Sequence, residues 1–424
     1  MFFNRRRAPA RRYLTVEQLE ARALLAVILV PEQQGSIQDA IDAANPGDIV
    51  SIRSGTYHEQ LFINKSLTLQ GRSGLASKVV ITPGPDDGDG ITVNDGVASV
   101  ALCNLRVTGW EENGMQIGFL GEDPVDRVLI KNVIADLNGD DGIDIENAAV
   151  ASLIAVLANR NDDDGVDAEE VSALTIQASQ LNDNGDHGLE AFNNDGLVKL
   201  VGVTALRNFS DGAFVGVDDS PAVTDVVILG SIFKSNGVLG GGQFGDDGAD
   251  GVNLEFVDDV FVSGLIASDN HEDGLDVDGA SGKVNITGGV FQNNGRAAGD
   301  EDGDGIDIDE VNGKTTVIGV VAFLNFVEGL NVDNVGNIDI TGSTFSRNGN
   351  NGISLDDVGN VNIIGVFSER NGGDGLDIDG AGFVKIKGST FLMNLDDGID
   401  LDNVAGHSFV GVVSLLNGDE NFEL

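Results

Sequence analysis

The sequence contains a single cysteine, Cys103, so no disulfide can form within the chain, and cysteine usage does not indicate a compartment. Basic residues are also scarce. There are 24 Lys and Arg against 69 Asp and Glu, which gives a formal net charge of -45. This charge disfavours nucleic acid and anionic membrane surfaces as partners and favours cations. Hydrophobic residues nevertheless make up 41% of the chain, so it can bury a core.

Long apolar runs are missing too, and no membrane span is predicted. The apolar run 23–30, which follows an arginine-rich start, is too short to cross a bilayer but fits the apolar region of an export signal. The segment Leu19–Leu25 resembles the Leu-Glu-Pro-Arg-x-Leu-Leu leader found ahead of large bacterial surface and secreted proteins, with Ala21 in place of the usual Pro. Residues 1–30 are therefore predicted to be a basic export segment, and the protein to be extracellular or on the cell surface. The alternative is a basic amphipathic helix with no targeting role.

What the sequence has in abundance is a repeat, typified by Asp304–Asp309 (Asp-Gly-Ile-Asp-Ile-Asp). Its spacing is about 23 residues, which is typical of a repeat architecture forming one elongated domain. The glycines that mark the repeats are Gly90, Gly114, Gly142, Gly165, Gly188, Gly212, Gly251, Gly274, Gly305, Gly329, Gly352, Gly375 and Gly398.

Each repeat alternates apolar and acidic residues after its glycine, which predicts a strand with one face inward and one outward. An asparagine recurs four residues before the repeat glycine. Stacked coils place equivalent positions about 4.8 Å apart, so these asparagines are expected to form a buried column joined amide to amide. They are Asn138, Asn161, Asn184, Asn208, Asn270, Asn325, Asn348, Asn371 and Asn394, with Asn236, Asn294 and Asn417 also placed in the column.

Ahead of the repeats, residues 36–44 predict one short helix. Ser36 is a good N-cap residue, and Asp39 follows at the spacing of a capping box. Short apolar strands come next, at 49–52, 60–63, 66–69 and 79–81. A lone amphipathic helix before many strands predicts a lid over the open end of a strand stack.

The stretches Ile37–Tyr57 and Lys65–Gly71 resemble the opening coils of right-handed parallel β-helix (pectin-lyase-like) proteins. That superfamily includes pectate lyases, pectin methylesterases and periplasmic copper-site maturation factors. The resemblance implies an all-β right-handed parallel β-helix solenoid of about 15 coils with a short N-terminal capping helix. Residues 31–84 would hold the helix and first coils, and residues 85–424 the repeats. Leucine-rich repeats, the competing architecture, fit poorly because only one of three required apolar positions around Asn348 is apolar.

Carboxylates recur two and four residues after the repeat glycine and immediately before it, which predicts three acidic columns on the outer face of one sheet. Neighbours about 4.8 Å apart repel by roughly 0.9 kcal/mol even in water, and an oxygen-rich anionic ladder is what Ca²⁺ prefers. The alternative is an acidic face that only keeps the protein soluble. The predicted Ca²⁺ ligands are Asp144, Asp167, Asp276, Asp278, Asp307, Asp309, Asp377, Asp379, Asp400 and Asp402.

Two functions remain open at this stage. The first is a secreted or cell-surface calcium-binding structural, adhesive or glycan-binding module, with any polysaccharide near the two insertions at 237–250 and 295–304. The second is a polysaccharide lyase, hydrolase or epimerase acting on acidic glycans around Gly251–Asp309. Motifs of the known enzymes are missing, and Asp186–Gly188 matches only faintly the Gly-His-Gly of the hydrolases. The last repeat is left unfinished, so end-to-end self-association is also expected to be possible.

Overall fold

A computed structural model of the chain describes residues 25–84, 88–217, 224–237, 249–295 and 303–423. Its strands stack in parallel, each pairing with the equivalent strand of the next coil. The chain forms a right-handed parallel β-helix, which confirms the predicted fold and the predicted stack of about 15 coils. Among the described residues, no helix is long and apolar enough to cross a membrane.

The elements from residue 27 to residue 206, in chain order, are β1 (Val27–Val30), α1 (Ile37–Ala43), β2 (Ile49–Ile52), β3 (Gly55–His58), β4 (Leu61–Ile63), β5 (Leu67–Gly71), a 3-10 helix (Ala76–Lys78), β6 (Val79–Thr82), β7 (Ile91–Val93), β8 (Val100–Cys103), β9 (Arg106–Thr108), β10 (Met115–Ile117), β11 (Val128–Lys131), β12 (Ile134–Asp136), β13 (Ile143–Glu146), β14 (Ala151–Ile154), β15 (Leu157–Asn159), β16 (Val166–Glu169), β17 (Ala173–Gln177), β18 (Gln180–Asn182), β19 (Leu189–Phe192), β20 (Leu197–Val201) and β21 (Thr204–Leu206).

The remaining strands are β22 (Ala213–Gly216), β23 (Asp225–Leu229), β24 (Ile232–Lys234), β25 (Val252–Glu255), β26 (Val260–Ser268), β27 (Asp276–Asp278), β28 (Val284–Gln292), β29 (Lys314–Ile318), β30 (Val321–Phe323), β31 (Asn337–Thr341), β32 (Thr344–Ser346), β33 (Ser354–Ile364), β34 (Phe367–Glu369), β35 (Asp377–Lys387), β36 (Thr390–Leu392), β37 (Asp400–Asp402), β38 (His407–Val410) and β39 (Val413–Leu415).

The strands form three stacked columns. The first, which we call the acidic sheet, contains β4, β7, β10, β13, β16, β19, β22, β25 and β27. Beyond β27 the acidic sheet continues through single bridges, from Asp278 to Asp309, Asp333 and Asp356, and then through the first residues of β33 and β35 and through β37. The second column runs from β1, β2 and β5 to β38, and the third from β3 and β6 to β39.

The third column shows how the interior is filled. Its inward position alternates large and small residues along the axis, so that each ring packs over a small neighbour. Phe233, Phe291, Phe345 and Phe391 are fully buried, and alanine or serine occupies the coils between them. Rings on every coil would overfill an interior with a repeat of about 4.8 Å. The alternation therefore explains why these four phenylalanines are separated by small residues.

The asparagine column is present as predicted. In the coil beginning at Gly329, for example, Asn325 Nδ2 donates to Asn348 Oδ1 at 3.1 Å, and Asn348 Nδ2 donates to Asn371 Oδ1 at 3.1 Å. The same oxygens also accept the backbone N–H of the preceding asparagine. The column runs from Asn138 to Asn417, and its members down to Asn394 are buried. Each amide therefore satisfies the backbone of a turn that lies inside the molecule.

The repeat glycine is explained by the same turn. A Cβ on Gly305 would lie 2.6 Å from the carbonyl oxygen of Gly329 and 2.7 Å from Asn325 Nδ2. Equivalent contacts occur at Gly165, where the distances would be 2.6 Å and 2.7 Å to the corresponding atoms of the next coil. The glycine is required because neighbouring coils approach closely there.

Helix α1 closes the N-terminal end of the stack, as predicted. Ser36 Oγ accepts the backbone N–H of Asp39 at 3.0 Å, and the Glu59 carboxylate accepts the N–H groups of Ile37 and Gln38. The coils begin earlier than predicted, because β1 lies inside the segment 1–30 and pairs residue by residue with β2. The leader prediction otherwise concerns residues 1–24, which lie outside the described residues.

Both predicted insertions near the coil of Gly251 lie largely outside the described residues, at 238–248 and 296–302. In the last described coil, Val410 and Leu415 are more than half exposed. Self-association through this end stays a prediction.

Candidate functional site

The acidic sheet aligns the carboxylates that lie two residues after the repeat glycine. Asp144 on β13 pairs in register with Asp167 on β16, and Asp167 pairs with Glu190 on β19. Further along the axis, Asp377 on β35 pairs with Asp400 on β37. These residues are far apart in sequence but one coil apart in space. The structure therefore brings together side chains that the repeat predicted to be neighbours.

The carboxylates four residues after the glycine form a second column beside the first. Asp278 is bridged to Asp309, Asp309 to Asp333, and Asp333 to Asp356. Asp379 on β35 then pairs with Asp402 on β37. Asp379 and Asp402 are exposed, whereas Asp278 and Asp309 are partly buried. The second column is thus more open to solvent at its C-terminal end.

The carboxylates immediately before the repeat glycine, which form the third predicted acidic column, do not lie where the sequence predicts them. Its carboxylates are buried in the turn and are not on the outer face, with Asp164 3% and Asp211 1% exposed. Each one accepts the backbone N–H of the equivalent residue in the next coil. The N–H of Asp164 donates to Asp141 Oδ1 at 2.9 Å, and the N–H of Asp273 donates to Asp250 Oδ1 at 2.6 Å. Asparagine, histidine and glutamate occupy other coils of this column at Asn113, His187 and Glu328. This column therefore forms a second series of hydrogen bonds that holds the turn, in addition to the asparagine column, and we call it the buried ladder.

The buried ladder and the first column together build three clusters of the same design. In each cluster, one carboxylate comes from the ladder, one from the strand that follows it, and one from the next strand of the sheet. In every cluster the three carboxylate oxygens lie within 4.8 Å of one another. The clusters are Asp164–Asp167–Glu190, Asp273–Asp276–Asp307 and Asp374–Asp377–Asp400.

Three carboxylate oxygens near these clusters are buried without a hydrogen-bond partner. They are Oδ1 of Asp144, Oδ1 of Asp309 and Oδ1 of Asp400. Asp144 is only 6% exposed, and its other oxygen accepts a hydrogen bond from Asn113 Nδ2 at 3.2 Å. A buried acceptor without a donor is costly, and a bound cation would remove that cost.

Burial and mutual repulsion raise the pKa values of these groups. Burial, reinforced by the charges of Asp167, Glu146 and Asp141, raises the pKa of Asp144 to about 9. Burial also raises the pKa of Asp167 to about 7 and that of Asp377 to about 6, with neighbouring carboxylates adding to both shifts. The pKa of Asp276 is raised well above its usual value for the same reasons. The folded chain thus holds its carboxylates together at an electrostatic cost.

The predicted ligands fall into three groups along the axis. Asp144 and Asp167 form the first group, and the other two groups place carboxylates at equivalent strand positions of adjacent coils further along the axis. The second group is Asp276, Asp278, Asp307 and Asp309, and the third is Asp377, Asp379, Asp400 and Asp402. Oxygen donors at this separation fit the ligand preference of Ca²⁺.

Between the first and second groups, aromatic and amide side chains replace the carboxylates. Phe214 follows Glu190 in the first column, and Asn253 follows Phe214. These residues line a cavity of about 320 Å³ with His187, Asp211 and Glu255. Sequence reasoning missed this cavity. The available signal was the substitution of phenylalanine for the expected acid in two consecutive repeats, at Phe192 and Phe214.

Comparison with protein families agrees with the geometry. The model of the right-handed β-helix region matches residues 303–414. Together with the stacked parallel coils, this match supports the right-handed parallel β-helix fold, and the resemblance noted from the sequence is confirmed at the level of the fold. Comparison with curated proteins finds no match.

Several solved structures are similar to this chain. The pectate lyase Pel9A is 16% identical with a TM-score of 0.39, and the match covers 81% of this chain and 77% of that one. Tailspike protein 3 of bacteriophage CBA120 is 11% identical with a TM-score of 0.47, over 87% of this chain and 58% of that one. The A-module of the Azotobacter vinelandii mannuronan C-5 epimerase AlgE4 is 14% identical with a TM-score of 0.33, over 91% and 93%.

Proposed function

We propose that this protein is an extracellular or cell-surface β-helix scaffold that binds Ca²⁺ along its acidic sheet. The observation that carries the proposal is the recurrence of one carboxylate cluster in three places, with a buried oxygen that lacks a donor on Asp400 of the third cluster and on Asp144 and Asp309, the neighbours of Asp167 and Asp276 in the other two. A surface that only promotes solubility has no need to bury carboxylates. The burial of Asp144 beside Asp167 therefore favours a cation site over a solvated acidic face.

Calcium would act here by neutralising repulsion between coils. Its oxygen ligands lie at about 2.3–2.6 Å, so two oxygens on one ion are at most about 5 Å apart. The 4.8 Å limit within each cluster satisfies this condition. One ion would connect two adjacent coils, because the ladder residue Asp273 and the strand residue Asp276 belong to one coil and Asp307 to the next. The bound ions would thereby stiffen the solenoid.

Calorimetric titration of the chelator-treated protein with CaCl₂ tests this proposal directly. We expect saturable binding of several ions per chain, together with a rise in the melting temperature that Na⁺ at equal ionic strength does not reproduce. An unchanged melting curve in chelator and in millimolar calcium would reject the proposal.

A polysaccharide-active enzyme is the second candidate. Its support is the raised pKa of Asp276 and Asp304, because a carboxyl group that is protonated near neutral pH can act as a general acid. A lyase would also need a basic side chain beside the acids. The strands β13, β16, β19, β22, β25 and β27 contain no Lys or Arg, so the scaffold remains the leading proposal.

The two candidates are separated by incubating the protein with acidic polysaccharides and measuring unsaturated and reducing sugars. Release of either product that is lost in Asp276→Asn would establish the enzyme. Binding of a polysaccharide without product would place the protein among glycan-binding scaffolds. Export is tested by expressing the full chain in a bacterial host and locating it by cell fractionation, with residues 1–24 deleted as the control so that β1 is kept.

A further inference from the structure

The cavity between the first two carboxylate groups has a composition unlike the rest of the acidic sheet. It is lined by His187, Glu190, Asp211, Phe214, Asn253 and Glu255. Three adjacent strands supply its floor, since Glu190, Phe214 and Asn253 occupy the same register on β19, β22 and β25. Its volume of about 320 Å³ lies at the lower end of the range for small-molecule sites, so a single sugar unit or a short amine would fill it.

The polar groups of the cavity are mainly acceptors. Glu190 and Glu255 contribute carboxylates, and the carboxylate of Asp211 also lines the cavity but is 1% exposed, with Oδ1 accepting the N–H of Asp250 and Oδ2 3.5 Å from His187 Nδ1. Asn253 is 7% exposed, and its Oδ1 is buried without a hydrogen-bond partner, while its Nδ2 lies 3.4 Å from Glu255 Oε1. A ligand that satisfies this site must bring hydrogen-bond donors and preferably positive charge. An anionic ligand finds no Lys or Arg among the residues that line it.

The floor of the cavity between Glu190 and Asn253 is aromatic. Phe214 lies with its ring centroid 5.8 Å from that of His187 and 6.3 Å from that of Phe192, with which it stacks at 28°. Phe214 is only partly buried, so one part of its ring is open to the cavity. An aromatic face attracts an organic cation and also packs against the apolar face of a sugar ring.

Carboxylates, an unsatisfied amide oxygen and an aromatic face together define one ligand class. We infer that this cavity binds an organic ammonium group, carried either on a short aliphatic chain or on an amino sugar. The carboxylates would neutralise and accept hydrogen bonds from the ammonium, Asn253 Oδ1 would take one further N–H, and Phe214 would cover the carbon skeleton. The inference does not require calcium. Glu190 also belongs to the Asp164–Asp167–Glu190 cluster, so calcium bound there would compete for it, whereas Phe214, Asn253 and Glu255 lie outside the three clusters.

The test measures binding by calorimetry to the calcium-depleted protein, in which no ion competes for Glu190. The probes are glucosamine, N-acetylglucosamine and 1,5-diaminopentane. We expect glucosamine to bind at least 10-fold more tightly than its neutral N-acetyl counterpart. Comparison with the diamine then identifies the source of the ammonium: tighter binding of glucosamine indicates an amino sugar, and tighter binding of the diamine indicates an aliphatic amine.

Two variants locate the site. Phe214→Leu keeps an apolar side chain but removes the aromatic face, and we expect amine affinity to fall several-fold. Glu190→Gln is expected to lower it further, whereas Glu122→Gln removes the same charge from an exposed loop and serves as the matched control. Equal affinity for glucosamine and N-acetylglucosamine would overturn the inference in favour of a neutral-sugar site. Equal losses in Glu190→Gln and Glu122→Gln would reduce it to general attraction by a chain of charge -45.

Discussion

Asn348 donates its side-chain amide to Oδ1 of Asn371, one coil further along the axis, at 3.1 Å. The same oxygen of Asn371 accepts the backbone N–H of Asn348 at 3.0 Å. Both side chains are buried, so the pair replaces water for a turn that the stacking of coils has placed inside the protein. Since the relationship repeats from coil to coil, the column connects the coils continuously along the axis.

Replacing Asn348 with alanine is expected to destabilise the protein by roughly 3 kcal/mol. The change leaves the backbone N–H of Asn325 without its acceptor, takes from Asn325 Nδ2 its 3.1 Å acceptor and removes one of the two donors to Asn371 Oδ1, and each buried unsatisfied group costs about 1–3 kcal/mol. Urea unfolding followed by circular dichroism measures the effect. Asn285→Ala, on the outward-facing side of β28, is the matched control and should change stability by no more than about 0.5 kcal/mol. Similar losses in both variants would contradict the proposed role of the column.

Gly305→Ala is expected to cost about 1–3 kcal/mol, because the added methyl group would lie 2.6 Å from the carbonyl oxygen of Gly329 and force the coils apart. Gly336→Ala is the control, since its Cβ would meet no atom closer than 3.5 Å. Thermal unfolding of the two variants beside the wild type makes the comparison. If Gly305→Ala unfolds at the wild-type temperature, the repeat glycine is not required by the spacing of coils.

Much of the fold could be predicted from the sequence because its signals are periodic. The helix after Ser36, the strand 49–52 and the buried asparagines all depend on local spacing, and each lies where the sequence predicts it. The depth of the ladder aspartates could not be predicted in this way. An aspartate such as Asp164 has the same sequence context whether its carboxylate faces water or accepts a backbone N–H, and only the path of the turn decides.

The cavity could not be predicted for a different reason. Phe192 and Phe214 stand four and two residues after their glycines, so their rings lie diagonally across two strands. In the sequence they appear as two separate losses of the acidic pattern. Their contact depends on the register between β19 and β22, which the structure supplies.

The metal-free protein is expected to become less stable as the pH rises from about 4 to about 9. Burial raises the pKa of Asp141 to about 8 and that of Asp144 to about 9, while the same groups in the unfolded chain titrate near 3.9. Because folding raises these pKa values, their contribution is fully present below the unfolded value and is lost as the pH passes through the folded value. Melting temperatures in chelator across this range measure the slope.

Asp144→Asn should flatten this pH dependence, because the amide carries no ionisable proton. Asp162→Asn removes the same charge from an exposed position and should leave the slope nearly unchanged. A melting temperature that rises with pH in the chelator-treated wild type would show that the buried carboxylates do not dominate the titration.

The three groups of predicted ligands, which begin at Asp144, Asp276 and Asp377, are expected to bind calcium independently. The coils of Asp144 and Asp309 are six repeats apart, roughly 29 Å at about 4.8 Å per coil, so substitutions at them should have additive effects.

Asp144→Asn, Asp309→Asn and Asp400→Asn each remove one of the oxygens that lack a donor. Each variant should keep or raise its melting temperature in chelator, because repulsion is relieved, and should gain less from calcium than the wild type does. The triple variant should lose the sum of the three gains, as measured by calorimetry and melting in parallel, whereas Asp162→Asn should respond fully. If the three variants gain as much from calcium as the wild type, the ions bind elsewhere on the acidic surface.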